Sequence, residues 1–122
     1  MAAVAQYRAL IRDLLTRYAN LVAAQEPASI ETLLAFDETN DQYLWLEVGW
    51  ENRHRVARII VHARIRDGAI WIEQDWTEDG VASDLWRAGV PREAVVLAFY
   101  EPVERESLPA ALAASGQRMS AE

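Results

Sequence analysis

Between Ile70 and Gly80 the chain reads IWIEQDWTEDG, placing four carboxylates, Glu73, Asp75, Glu78 and Asp79, among Trp71 and Trp76. Carboxylate oxygens are the ligands that hard cations such as magnesium prefer, and two carboxyls in one site can divide into general acid and general base. With His62 on the preceding apolar run, Glu73 and Asp75 form the candidate set for a metal-dependent phosphodiesterase or other hydrolase. Spacing argues against one compact cluster. Glu73 and Asp75 lie two apart on one face of a strand, whereas Glu78 and Asp79 fall where a helix begins. Arg64 and Arg66 share the face of Glu73 and Asp75 if Asp67-Gly68 makes a two-residue turn, so cross-strand arginine–carboxylate pairing is the competing and favoured reading.

His62 sits beside Arg64 on the mixed side of its strand, where a single histidine is more often a satisfied side chain than a ligand; His54 belongs to the polar turn NRHR. The chain contains no G-x-S-x-G elbow, phosphate loop, H-E-x-x-H or G-x-G-x-x-G fingerprint. With no cysteine there is no disulfide, thiolate metal site or cysteine nucleophile. The expected state is a non-enzyme without cofactor or resident metal.

Periodicity gives the elements on which these residues sit. Val4, Tyr7, Ile11, Leu14, Tyr18 and Leu21, widened by Leu10, Leu15 and Val22, make one stripe of a long amphipathic helix that ends before Pro27. From Ser29 the period becomes two. Ile30–Phe36 and Tyr43–Trp50 read as strands around the polar turn DETND, Val56–Arg66 as a third, and Ala69–Asp75 as a fourth after Asp67-Gly68, a type I′ signal. Thr77 is the expected N-cap of a second helix carrying Val81, Leu85 and Trp86 inward and ending at Gly89 and Pro91. The run AVVLAFY reads as a fifth strand. Together these give an α+β fold: an N-terminal helix on one face of a mainly antiparallel sheet of about five strands, with a second helix between strands four and five.

At 122 residues, with 52% hydrophobic residues and five tryptophans, the chain is expected to form one domain over residues 1–122, of which 106–122 would be a partly ordered tail. The net charge is −7, and all twelve basic residues are arginine. Direct nucleic-acid binding needs a basic surface to displace counterions from phosphates, which ranks that role lowest. Arg8, Arg12 and Asp13 interrupt the apolar N-terminus, so it does not read as a signal peptide, and apolar runs fall far short of a membrane span. A soluble, cytoplasmic protein is expected.

The tryptophans sort by phase. Trp50 continues the alternation Leu44, Leu46, Val48 and is expected in the core, as is Trp86 on the second helix. Trp45 and Trp71 are out of phase and would share the polar face with Tyr43 and Arg64. Exposed aromatics among arginines have the composition of a protein-binding surface, so Tyr43, Trp45, Arg64 and Trp71 are the candidate partner-binding residues. The alternative is that a helix or the tail covers these rings within the monomer.

Three stretches, YLWLEVGW, RIRDGAIWIEQDWTEDGVA and the L-x-x-AGVP-x-x-x-VVLAF run, resemble the XisI family in order and spacing from about Tyr7 to Arg105. That resemblance implies a fdxN element excision controlling factor. Such a protein is an accessory in the removal of a DNA segment from cyanobacterial genomes by a site-specific recombinase, acting beside a companion, XisH, of restriction-endonuclease-like fold. It implies an accessory protein that binds or controls a XisH-like partner, and it brings no catalytic residues; the face of Tyr43, Trp45, Arg64 and Trp71 is in addition the candidate surface for a homo-oligomer. The chain departs from the family pattern after Tyr100, where YEPVERESLPAALAA replaces an aromatic-rich terminus.

Overall fold

A computed structural model describes residues 2–101 of the chain. Helix α1 runs from Ala2 to Ala23. It buries Tyr7, Ile11, Leu14, Leu15 and Ala19, with Leu10, Tyr18 and Val22 packed at the margins. The expected stripe is therefore present, except that Leu21 is 62% exposed because the buried arc passes through Ala19 and Val22 instead.

Five strands follow, β1 (Ile30–Asp37), β2 (Gln42–Glu51), β3 (His54–Arg66), β4 (Ala69–Asp75) and β5 (Val95–Leu97), in the spatial order β1-β2-β3-β4-β5. The first four pair antiparallel, and β5 lies parallel to β4 after the crossover through α2 (Val81–Arg87). The α+β architecture matches the sequence expectation. The fifth strand is shorter than AVVLAFY, because a 3₁₀ turn over Arg92–Ala94 precedes it and pairing stops at Leu97.

Turn chemistry sets the registers. Asp67 and Gly68 have φ of 54° and 76°, the left-handed pair that a type I′ turn requires. Asn52 and Arg53 do the same between β2 and β3, with φ of 51° and 69°. Between β1 and β2, the Asp37 carboxylate accepts from the backbone N–H groups of Thr39 and Asn40 at 3.0 and 3.1 Å. The expected tail at 106–122 lies outside the described residues.

Both helices lie on one face of the sheet, and the core fills the space between. Tyr43 and Trp45 of β2, Val61 and Ala63 of β3 and Ile70 and Ile72 of β4 point into it, against α1 and against Val81, Ala82 and Leu85 of α2. Two bulges interrupt the alternation. In β3, Ile60 is an extra residue between Ile59, opposite Leu46, and Val61, opposite Trp45; in β4, Glu73 is extra between Ile72 and Gln74. Each bulge moves the residues after it to the other face. Ala57 and Ile59 thus lie on the helix-free face while Val61 and Ala63 are buried, although the sequence pattern places all four together.

No helix among the described residues is long and apolar enough to cross a membrane.

Candidate functional site

The carboxylates of the 70–80 stretch are distributed, not gathered. Glu73, at the β4 bulge, accepts from Arg64 Nε at 2.8 Å on the helix-free face, which is the cross-strand pairing expected for that residue. Asp75 does not join it there. The bulge turns Asp75 inward, where it is 1% exposed. Its Oδ1 accepts from Thr77 N at 2.9 Å and Thr77 Oγ1 at 2.5 Å, and its Oδ2 accepts from Val81 N at 2.8 Å. Asp75 therefore serves the first turn of α2, and Thr77 is not the N-cap; Gly80 holds that position, with φ of 82°. Glu78 and Asp79 are exposed in the connecting loop.

His62 is half-buried on the helix-free face, with Nε2 2.7 Å from Gln42 Oε1. Burial holds its pKa below the ordinary value, against the attraction of Glu73. Glu73 and His62 share the face, whereas Asp75 is on the opposite side of the sheet, so the three do not converge. Among the described residues no group of three histidine, cysteine or carboxylate side chains is arranged to hold a metal ion.

The expected aromatic surface is divided in the same way. Tyr43 is 0% and Trp45 3% exposed, both under α1, so neither can present a ring to a partner. The reversal extends along β2: Tyr43, Trp45 and Glu47 face the helices, while Leu44, Leu46, Val48 and Trp50 face away, leaving Trp50 54% exposed instead of in the core. The physical reason is that α1 takes the larger aromatic surface. The Tyr43 hydroxyl keeps a partner at the sheet's edge, donating to Asp41 at 3.0 Å. Trp45 lies parallel to Tyr18 with centroids 6.4 Å apart, and its Nε1 finds no acceptor among the described residues, so ring area alone carries its burial. Trp71 and Arg64 remain on the helix-free face, where Trp71 Nε1 donates to Arg66 O at 3.1 Å and the Arg66 guanidinium lies 4.8 Å from the ring. Trp86 is partly buried against the core.

Tyr18, Glu47 and Arg58, none of them a candidate site residue from the sequence, line a groove of about 690 Å³. Val22, Ile60 and Trp76 line its apolar wall, and Glu78 and Asp79 stand at its rim. Glu47 is buried and accepts from Arg58 Nε and Nη2 at 3.0 and 2.8 Å. Beside it, the Glu26 carboxyl is held above the usual range by desolvation and by its hydrogen bond with Glu47. Tyr18 donates to Asp84, and burial together with that bond pushes its hydroxyl up to about 12. The signal in the sequence is Glu47 itself, a carboxylate in phase with Tyr43 and Trp45.

A second surface is the helix-free face. Its rows run across the sheet as Asp37, Gln42, Arg64 and Trp71; Ala35, Leu44, His62 and Gln74; Leu33, Leu46 and Ile59; then Glu31, Val48 and Ala57.

The XisI protein family model matches residues 1–111. A crystal structure of a XisI-like protein from Anabaena variabilis ATCC 29413 superposes with a TM-score of 0.79 at 35% identity, covering 85% of this chain and 94% of that one. The fdxN element excision controlling factor XisI from the same organism gives a TM-score of 0.75 at 35% identity, covering 84% and 98%. No curated protein matches the sequence. The family match spans nearly the whole chain and the solved relatives superpose over most of it, so the chain belongs to the XisI family.

Proposed function

We propose that this chain is a non-enzymatic accessory protein in the control of DNA element excision, acting by binding a XisH-like partner of endonuclease-like fold. The excision-control role rests on the family match and on the similarity to an excision controlling factor. The observation that carries the mode of action is the use made of the acidic stretch: Asp75 supports α2, Glu73 pairs with Arg64, and Glu78 and Asp79 stand at the rim of a groove. With Glu47, Glu78 and Asp79 against Arg58 alone, and with Tyr18 and Trp76 as walls, that groove suits a cationic side chain presented by a basic partner.

Co-expression with a XisH-like protein tests the reading. The pair is expected to co-purify, and Glu78→Lys with Asp79→Lys is expected to weaken capture, whereas Glu73→Gln leaves it intact. Failure to bind such a partner overturns the proposal. So does a magnesium- or manganese-dependent phosphodiesterase activity that disappears in Glu73→Gln, which is the hydrolase alternative.

A further inference from the structure

The helix-free sheet face is apolar at its centre, with Leu33, Leu44, Leu46, Val48 and Ile59 all at least partly exposed and Trp50 at one end. A sheet of this kind normally buries one face and wets the other, which would place polar residues where these leucines stand. Its charge differs from that of the whole molecule. The chain carries −7. Among the described residues, this face sets the carboxylates Glu31, Asp37 and Glu73 against an equal number of guanidiniums, those of Arg55, Arg64 and Arg66. Glu31 and Asp37 lie on β1 and the arginines on β3, while Glu73 of β4 is held by Arg64 of the neighbouring strand.

We infer that this face binds a second copy of the chain, sheet against sheet, about a two-fold axis running parallel to the strands between β2 and β3. That rotation lays β1 of one copy over β4 of the other and β2 over β3. The acidic β1 strand then lies over β4, where the Arg66 guanidinium covers the Trp71 ring and the one carboxylate, Glu73, is already paired with Arg64 of its own copy, and the leucine rows meet one another. A two-fold axis perpendicular to the strands would instead stack β1 on β1 and set the carboxylates in opposition. The net negative charge of the chain disfavours self-contact elsewhere, whereas here the charge balances.

The size is appropriate. Four strands about 4.8 Å apart and about seven residues long at about 3.4 Å each give a projected face of about 450 Å². Side-chain relief raises this toward the roughly 800 Å² per partner that a stable interface buries. A hollow lined by Leu46, Val48, Ala57, Ile59 and Gln74, with Arg58 at its margin, lies within the face. Trp50 projects at the end of the same face, with the Arg55 guanidinium 5.6 Å from its ring centroid. Large exposed aromatics of this type anchor interfaces.

Sedimentation equilibrium on the full chain, with and without Leu33→Glu and Trp50→Glu together, tests the inference. Both residues are exposed in the monomer, so circular dichroism is expected to show an unchanged fold. The unaltered chain is expected to sediment as a dimer, and the double variant to raise the dimer dissociation constant by roughly a hundredfold or more. A monomer at every soluble concentration overturns the proposal, as does a dimer indifferent to the double substitution. Dimerisation only after removal of residues 102–122 also overturns it, since the chain's own terminus would then be what covers the face.

Discussion

The Asp75 carboxylate joins the end of β4 to the start of α2: Oδ2 accepts from the Val81 N–H at 2.8 Å, while Oδ1 holds Thr77 through its N–H and hydroxyl. A seven-residue helix has little stability of its own, because nucleation is unfavourable and few internal bonds repay it. Asp75→Ala is therefore expected to destabilise the protein by about 3 kcal/mol, through loss of an N-terminal cap and the burial of unpaired donors. Denaturant unfolding followed by tryptophan fluorescence measures it. A cost no larger than that of an ordinary surface substitution would show that α2 is held by Val81 and Leu85 alone.

What is legible in the sequence is what neighbouring residues decide. The α1 stripe and the Asp67-Gly68 turn depend on local period and on φ, and both appear where the pattern puts them. The facing of β2 is not legible, because Tyr43-Trp45 and Leu44-Leu46 are both apolar sets and only the docking of α1 selects between them. The bulges at Ile60 and Glu73 carry no glycine to mark them, yet each reverses the face on which the next residues lie. Alternation alone therefore sets Asp75 in a surface pair, whereas the bulge before it makes it a buried support for a helix.

Gly49 lies where the chain entering β1 crosses β2. A β-carbon there would be 2.0 Å from Ser29 O, the same oxygen that accepts from Trp50 N at 3.0 Å. Since φ is 151°, the backbone is also one that L side chains rarely adopt. Gly49→Ala must break that approach, at an expected cost of at least about 2 kcal/mol. The urea midpoint should fall with the slope unchanged; an unaltered midpoint would mean that the β1 entry shifts freely.

Glu47 is buried while its partner Arg58 is half exposed, so the two single substitutions are not equivalent. Arg58→Ala leaves a carboxylate under α1 without its two donors, and about 2 kcal/mol is expected, below the cost for a fully buried pair because water still reaches the guanidinium. Glu47→Leu removes the charge that needs compensation. Adding it to Arg58→Ala is expected to recover about half the loss or more, giving a non-additive cycle. Additive losses would show that Arg58 contributes through the packing of its stem.

Arg8 of α1 meets Asp41 at the β1–β2 turn, Nε to Oδ1 at 2.7 Å and Nη2 to Oδ2 at 3.1 Å, and the Tyr43 hydroxyl donates to the same Oδ1. The hydrogen bond from Arg8 holds the Asp41 carboxyl below its ordinary 3.8, whereas burial and the Asp41 bond push Tyr43 from 10.0 up to about 12. The two shifts act at opposite ends of the pH scale. For Asp41 the unfolded chain takes the proton first, so its contribution to stability is complete above the unfolded value and is lost as pH falls through the lowered folded one. For Tyr43 the unfolded chain releases the proton first, so the contribution is complete below 10.0 and is lost as pH rises through about 12. Stability measured against pH for Arg8→Gln should lie below that of the unaltered chain near neutrality and converge with it in acid. Tyr43→Phe should converge in alkali, since no hydroxyl remains to ionise. Curves that stay parallel over the whole range would mean that these groups titrate alike folded and unfolded, and that Arg8 anchors α1 through its aliphatic stem instead of its charge.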